Sequence, residues 1–261
     1  MTALIIGANG LAGSAFMRVL PGVGFQCRGV TRDTYHEARG ARADVLILAH
    51  GNSAKYLAAQ DAAGEVARSV APVMAACTDF CYDLCLLLSS ADVYPDTSDP
   101  AHNAETAAID PSRLSVYGLC KHLAEEVVRN RCARHMILRL GGLLGPGLRK
   151  NPLYDLLAGQ PLRVHPDSQF GYIHTEEVAR IAAGLLTGGR APPVINVCGE
   201  GLVAVRDLAA WAGVPPPAAD SSRTPGRYAI SNRLLSSLRP VPESARTAQD
   251  FIRWWKEQAR T

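Results

Sequence analysis

Three glycines set between a short apolar run and a helix-like stretch constrain this chain more than any other feature. Ala3–Ile6 is continuously apolar, Gly7, Gly10 and Gly13 follow at once, and Leu11–Leu20 carries helical spacing. In a strand-to-helix turn of this kind the first glycine permits the tight turn and the second lets backbone approach a ligand. The third lets helix and strand pack closely. Amides at the helix start then favour anionic oxygens. In that context the pattern predicts a dinucleotide-binding unit of the Rossmann type, a bare structural turn being the alternative. Gly7, Asn9, Gly10, Leu11 and Gly13 are its expected cofactor-binding residues.

The rest of the chain continues the alternation. Cys27–Thr31, Asp44–Ala49, Leu84–Ser90, Met136–Leu140 and Val194–Val197 read as strands, several nearly all apolar, as a sheet buried on both faces requires. Helices are expected over Ala58–Ala76, with Pro72 as a start or kink, and over Ser115–Asn130, Thr175–Leu186 and Ser244–Gln258. Thr175 is expected to cap its helix. The stretch between Thr31 and Asp44 is too short for a crossover helix and another strand, so one outer strand is missing. Asp92–Pro111 reads as a long polar loop, and Val214–Pro217 as a linker or rigid turn. The fold class is therefore α/β, a doubly wound parallel sheet abbreviated after its second strand, with a small C-terminal substrate lobe. Residues 1–198 form the dinucleotide-binding domain, with 141–167 an excursion toward the substrate, and 199–261 form the lobe.

A net charge of +3, from 27 basic and 24 acidic residues, gives no reason to expect nucleic acid as a partner. No apolar run is long enough for a membrane span and no secretory signal is recognisable, so a cytoplasmic location is expected. Cys77, Cys81 and Cys85 recur every four residues, but Cys85 begins a buried strand and no histidine or CxxC pair accompanies them. They are expected to be core residues, and no metal site is expected. Phe251, Trp254 and Trp255 are expected to form a docking face on the last helix.

Arg32 follows the second strand, where a guanidinium suits a 2′-phosphate; NADP is favoured, while Asp33 beside it would suit the unphosphorylated ribose of NAD. Ala49 ends the next strand beside the same cofactor. Tyr117 and Lys121, four apart on a helix, share one face. A lysine ammonium beside a phenol lowers its pKa toward working pH. Ser90, at the end of a buried strand, is placed to hydrogen-bond a substrate oxygen.

With these residues in order, the chain resembles the extended short-chain dehydrogenase/reductases of the NAD(P)-dependent epimerase/dehydratase group, which includes dTDP-4-dehydrorhamnose reductases. The glycine loop, Asp44–Ala49, Leu88–Tyr94, Tyr117–Lys121, Arg139 with Gly145–Gly147, Tyr172–Ala179 and Ile195–Val197 carry the likeness. The resemblance implies Ser90 as substrate-orienting hydroxyl, Tyr117 as acid/base and Lys121 as cofactor-positioning cation, all three catalytic. It implies hydride transfer between nicotinamide and a small-molecule carbonyl or alcohol, and a homodimer. Sugar epimerisation and a non-catalytic NADP-binding regulator are the alternatives. Departures are the short Thr31–Asp44 connection, Ser69 for an asparagine that organises the site, Pro95 for a glycine, and Phe170 for an arginine near a nucleotide-sugar diphosphate. Asp92 replaces part of a dehydratase trio and is expected to serve as a loop or helix cap. His50, Asn52, His165 and His174 are expected in hydrogen-bonding or packing roles, and Ala229–Leu235 either closes over substrate or belongs to a structural lobe.

Overall fold

A computed structural model of the 261-residue chain describes residues 1–51, 55–189, 192–215 and 223–258. Asn52 and part of Val214–Pro217 lie outside the described residues. β1 (Thr2–Ile6) enters α1 (Leu11–Val19) through the glycine turn, and β2 (Gln26–Val30) returns beside it. Only a four-residue α2 (Tyr35–Ala38) separates β2 from β3 (Arg42–Leu48), so the expected shortening is real. α3 (Lys55–Gln60), α4 (Ala62–Ser69) and α5 (Ala71–Asp79) then lead to β4 (Cys81–Ser90). The single helix expected here is broken into three: Asp61 caps α4 through the Gly64 amide, and Pro72 sits in the first turn of α5.

α6 (Val116–Arg131) and β5 (His135–Leu140) follow. Asp92–Pro111 is more ordered than expected, with three single-turn 3-10 helices headed by Ser90, Asp99 and Asp110. Next come β6 (Gly142–Leu144), α7 (Pro152–Leu157), β7 (Gln169–Phe170), β8 (Tyr172–His174), α8 (Thr175–Thr187) and β9 (Val194–Val197). The chain ends in β10 (Val203–Ala204), α9 (Val205–Ala212), β11 (Arg227–Tyr228), α10 (Arg233–Leu238) and α11 (Ser244–Gln258). The Thr175 hydroxyl, expected as a cap, is buried with no hydrogen-bond partner.

The described residues build a Rossmann-type sheet in the order β2-β1-β3-β4-β5-β9, with β2–β1, β1–β3, β3–β4 and β4–β5 paired in parallel. Leu4, Ile6, Leu46, Leu48, Leu87 and Ile137 enter one core with Val73 and Val128 of the helices. The alternate residues Ile5, Ile47, Leu86 and Leu138 project to the other face and are equally buried. Burial on both faces explains the unbroken apolar runs, each such side chain contributing about 1.5–3 kcal/mol.

Two compact units result. One comprises Met1–Pro95, Ala108–Leu140 and Thr175–Ile195; the other comprises Asp96–Ala107, Gly141–His174 and Asn196–Thr261. Within the second, β10-β7-β11 and β6-β8 form small sheets. Asn196 joins its segments, its amide donating to the carbonyls of Asn103 (2.9 Å) and Ser231 (3.0 Å). Phe251 of α11 is buried against Trp254 and Trp255, and Tyr154 meets Trp255 edge-on at 5.7 Å, so the aromatic face does dock. No helix among the described residues is long and apolar enough to cross a membrane.

Candidate active site

The glycine turn is built as its spacing demands. Gly7 has φ +85, a left-handed value that costs glycine little, and a Cβ there would press on the Ala49 backbone at 3.0 Å. A Cβ on Gly13 would stand 2.1 Å from the Gly7 carbonyl oxygen, so only glycine lets α1 leave the strand this closely. Gly10 is the N-cap of α1, no side chain caps the helix, and its first turn carries no acid. Leu11 opens that helix and Asn9 is exposed on the turn. Ala49 donates its amide to the Ile6 carbonyl at 3.0 Å, holding the end of β3 beside Gly7. An uncapped, acid-free helix start behind a cradle that any Cβ would fill fits a dinucleotide pyrophosphate. Arg32 is exposed just beyond β2, in a turn in which the Thr31 amide donates to the Thr34 hydroxyl.

At the same C-terminal edge of the parallel sheet, Ser90, Tyr117 and Lys121 come together. Ser115 caps α6 by accepting the Gly118 amide at 3.1 Å. A Cβ on Gly118 would lie 2.3 Å from the Asp92 carbonyl oxygen, so this glycine lets the helix press onto the turn after β4. That approach sets Tyr117 beside Ser90. The Ser90 hydroxyl donates to the Asp92 carboxylate at 2.7 Å and accepts the Asp92 amide at 3.2 Å. Ser90, not Asp92, therefore caps the turn; the Asp92 carboxylate, expected as a cap, takes the Ser90 hydroxyl and an ion pair from Lys55. The Lys121 and Lys55 ammonium groups lie 5.7 and 5.8 Å from the Tyr117 ring centroid.

The phenol does not titrate as the lysine spacing predicted. Burial pushes Tyr117 well up, the Asp92 charge adds to the rise, and the neighbouring Ser90 hydroxyl opposes it only in part. Lys121 stands beside the ring, itself pushed down by burial while Glu65 and then Asp92 pull it back up. The apolar surroundings therefore outweigh the ammonium, and Tyr117 holds its proton.

Two buried carboxylates near these residues escaped the sequence reading. Glu65 is fully buried on α4 and accepts the Ser69 hydroxyl at 2.6 Å. A Cβ on Gly51 would lie 3.3 Å from Lys121 Nζ and 3.8 Å from that Ser69 hydroxyl, so the residue standing for an asparagine is in the Lys121 neighbourhood. Glu125 on α6 accepts two bonds from Arg139, at 3.0 and 2.8 Å, and the Ser89 hydroxyl at 2.7 Å. Arg139 also donates to the Tyr94 hydroxyl at 2.9 Å. This network fixes the end of β4 from beneath. The four-residue step from Glu65 to Ser69 was the one available signal.

His50 follows Ala49, its ring nitrogens buried; burial, then the Lys121 charge, pushes it down to about 4, so it is neutral. In the other unit, His165 accepts the Asp167 amide at 3.1 Å. Phe170 stacks on Tyr228 at 4.8 Å and 15°. Ser231 and Asn232 of the Ala229–Leu235 stretch are tied into structure, Ser231 donating to Asn103 at 2.8 Å and Asn232 to the Cys198 carbonyl at 2.9 Å.

No curated protein matches the chain. Among solved structures, a dTDP-4-dehydrorhamnose reductase from Clostridium acetobutylicum superposes with TM-score 0.79 at 16% identity, over 98% of this chain and 100% of that one. A dTDP-4-dehydrorhamnose reductase from Bacillus anthracis str. Ames, in complex with NADP, gives 0.78 at 13% over 96% and 98%. MoeE5 in complex with UDP-glucuronic acid and NAD gives 0.81 at 18% over 99% and 100%. At such identities the likeness establishes the shared fold. The family model of the RmlD substrate binding domain matches residues 1–192, and the chain belongs to that family.

Proposed function

We propose that this chain is an NAD(P)-dependent oxidoreductase that reduces the carbonyl of a small molecule, with Tyr117 as proton donor. The observation that carries the reading is the convergence of buried Tyr117, Ser90 and Lys121, with the Lys121 ammonium 5.7 Å from the Tyr117 ring centroid. A bound reduced nicotinamide supplies hydride to the carbonyl carbon. Ser90 and Tyr117 hold the carbonyl oxygen, and the phenolic proton moves to that oxygen as charge develops on it. The phenolate left behind is stabilised by the Lys121 ammonium. Ser90 gives its one hydroxyl proton to Asp92 at 2.7 Å, so holding the carbonyl oxygen requires that proton to turn from the carboxylate to the substrate. Gly7, Asn9, Gly10, Leu11, Gly13 and Ala49 hold the dinucleotide, and Lys121 serves its ribose as well as the phenol.

Epimerisation, the alternative, would use the same Tyr117 and nicotinamide, first accepting and then returning the proton and hydride. NADP is favoured by Arg32; the relatives named above carry NADP in one case and NAD in another. The Phe170–Tyr228 stack, where an arginine would meet a diphosphate, favours a substrate without a nucleotide. A regulatory reading draws on the four-residue α2, which leaves little protein on the adenosine side.

NADPH consumption across a panel of ketones, aldehydes and keto-sugar nucleotides tests the proposal. Turnover that falls by about 10²–10⁴-fold in Tyr117→Phe, with NADPH affinity kept, is expected. Tight NADPH binding with no turnover on any member would replace the enzyme by a sensor.

A further inference from the structure

At the end of the sheet away from the redox residues, three thiols from three elements meet. Cys77 lies in α5, Cys85 within β4 and Cys132 at the C-cap of α6, all buried in the core. Their sulfur atoms lie within 4.8 Å of one another, Cys77 and Cys132 at 3.6 Å. Ser90 lies five steps along β4 from Cys85, roughly 16 Å at about 3.3 Å per residue. This trio differs from the evenly spaced Cys77, Cys81 and Cys85, all three expected in the core, of which Cys81 is exposed instead. β4 begins at Cys81, where the helical period has already ended, and Cys132 arrives from the far end of α6.

The dimensions suit a metal centre. With metal–thiolate bonds of about 2.3 Å, a planar three-coordinate ion places its sulfurs about 4.0 Å apart. A closed structural zinc site takes four protein ligands. Among the described residues no fourth histidine, cysteine or carboxylate joins the three, and His135 turns its Nδ1 to the Cys132 carbonyl at 3.1 Å. An all-sulfur, three-ligand set in an apolar core selects a soft ion. Tyr82 donates its hydroxyl to the Cys77 carbonyl at 3.0 Å and lies 3.1 Å from the Cys132 sulfur, so it ties two of the three ligand segments together.

Access is also present. A cavity of about 360 Å³ is lined by Cys77, Cys132 and the exposed Cys81, with Arg42, Arg131 and Arg134 around it. Asp83 lines it too and pairs with Arg42 at 3.0 Å, and the net positive charge that remains favours an ion carried as an anionic thiolate complex over a hydrated cation.

We infer that Cys77, Cys85 and Cys132 form a binding site for copper(I), loaded through Cys81 from a small-molecule thiolate complex. Each incoming copper–sulfur bond forms as a cysteine gives up its proton, and the departing carrier thiolate takes that proton; no electron is transferred. Bound copper ties α5, β4 and α6 together, and the guanidiniums offset the negative charge of the thiolates.

The test uses reduced full-length protein under argon, titrated with copper(I) as its glutathione complex against bathocuproine disulfonate. One equivalent retained by the wild type is expected, with at least tenfold weaker retention in Cys132→Val and a slower transfer at equal affinity in Cys81→Ser. Copper-edge X-ray absorption on the loaded wild type should show sulfur ligands only, which decides the matter where Cys132→Val fails to fold. Failure to retain copper, retention unchanged in folded Cys132→Val, zinc held more tightly than copper(I), or oxygen and nitrogen in the copper shell would each overturn the inference. A Cys77–Cys132 disulfide forming in place of copper retention would do the same.

Discussion

Replacing Glu125 by alanine removes four hydrogen bonds that tie α6 to the ends of β4 and β5. The carboxylate is fully buried and accepts from Ser89, twice from Arg139, and from Arg129 at 3.0 Å. Arg139 is itself only 2% exposed, so the variant leaves a guanidinium in the core with Tyr94 alone. Removing one partner of a buried pair costs about 3–5 kcal/mol. At about 2–4 °C per kcal/mol for a chain of this size, the melting temperature should fall by roughly 6–20 °C. Glu126, half-exposed against the same Arg129, is the internal control, and its loss should cost less than about 1 kcal/mol. A double variant, Glu125→Leu with Arg139→Met, should recover most of the loss, because the penalty is the stranded charge. pH adds a second signature. Burial pushes the Glu125 carboxyl up, but Arg139, Ser89 and Arg129 together outweigh it and hold it below its usual 4.5. The pair therefore contributes fully above the ordinary carboxylate range and is lost as pH falls through the depressed value. Urea unfolding at several pH values measures both effects. A Glu125→Ala protein within about 1 kcal/mol of wild type would refute the reasoning.

Gly13→Ala drives a carbon into the Gly7 carbonyl, and because both are backbone the turn itself must open. A cost of about 1–3 kcal/mol in unfolding and a loss of NADPH binding beyond tenfold in a fluorescence titration are expected. Arg32→Ala should weaken NADPH by roughly ten- to a hundredfold, the worth of about 1.5–3 kcal/mol for a charged hydrogen bond, and leave NADH unchanged; equal native affinities for the two would remove the NADP preference. His50, held at about 4 against an ordinary 6.5, is neutral when folded while the unfolded chain takes up its proton below 6.5. Stability should accordingly fall by about 3 kcal/mol as pH drops across that window, and urea midpoints of His50→Gln should show a flatter slope there.

What the sequence disclosed was local or length-limited. The glycine turn and the Tyr117–Lys121 step each act within a few residues, and the chain between Thr31 and Asp44 could not hold another strand. Long-range chemistry stayed hidden. Glu65 and Glu125 look like ordinary helix charges until the fold buries them beside Lys121 and Arg139. The Tyr117 titration was misjudged for the same reason: spacing shows the neighbouring lysine but neither the desolvation nor Asp92. Cys132 joins Cys77 across a chain separation of 55 residues, which no periodicity reports.

The most direct measurement follows deuterium from the 4-position of reduced NADP into product, in wild type and Tyr117→Phe. One carbon-bound deuterium per turnover is expected from the wild type, with product formation collapsing in the variant while its NADPH affinity is unchanged. Unlabelled product, or undiminished turnover without the phenol, would contradict the account.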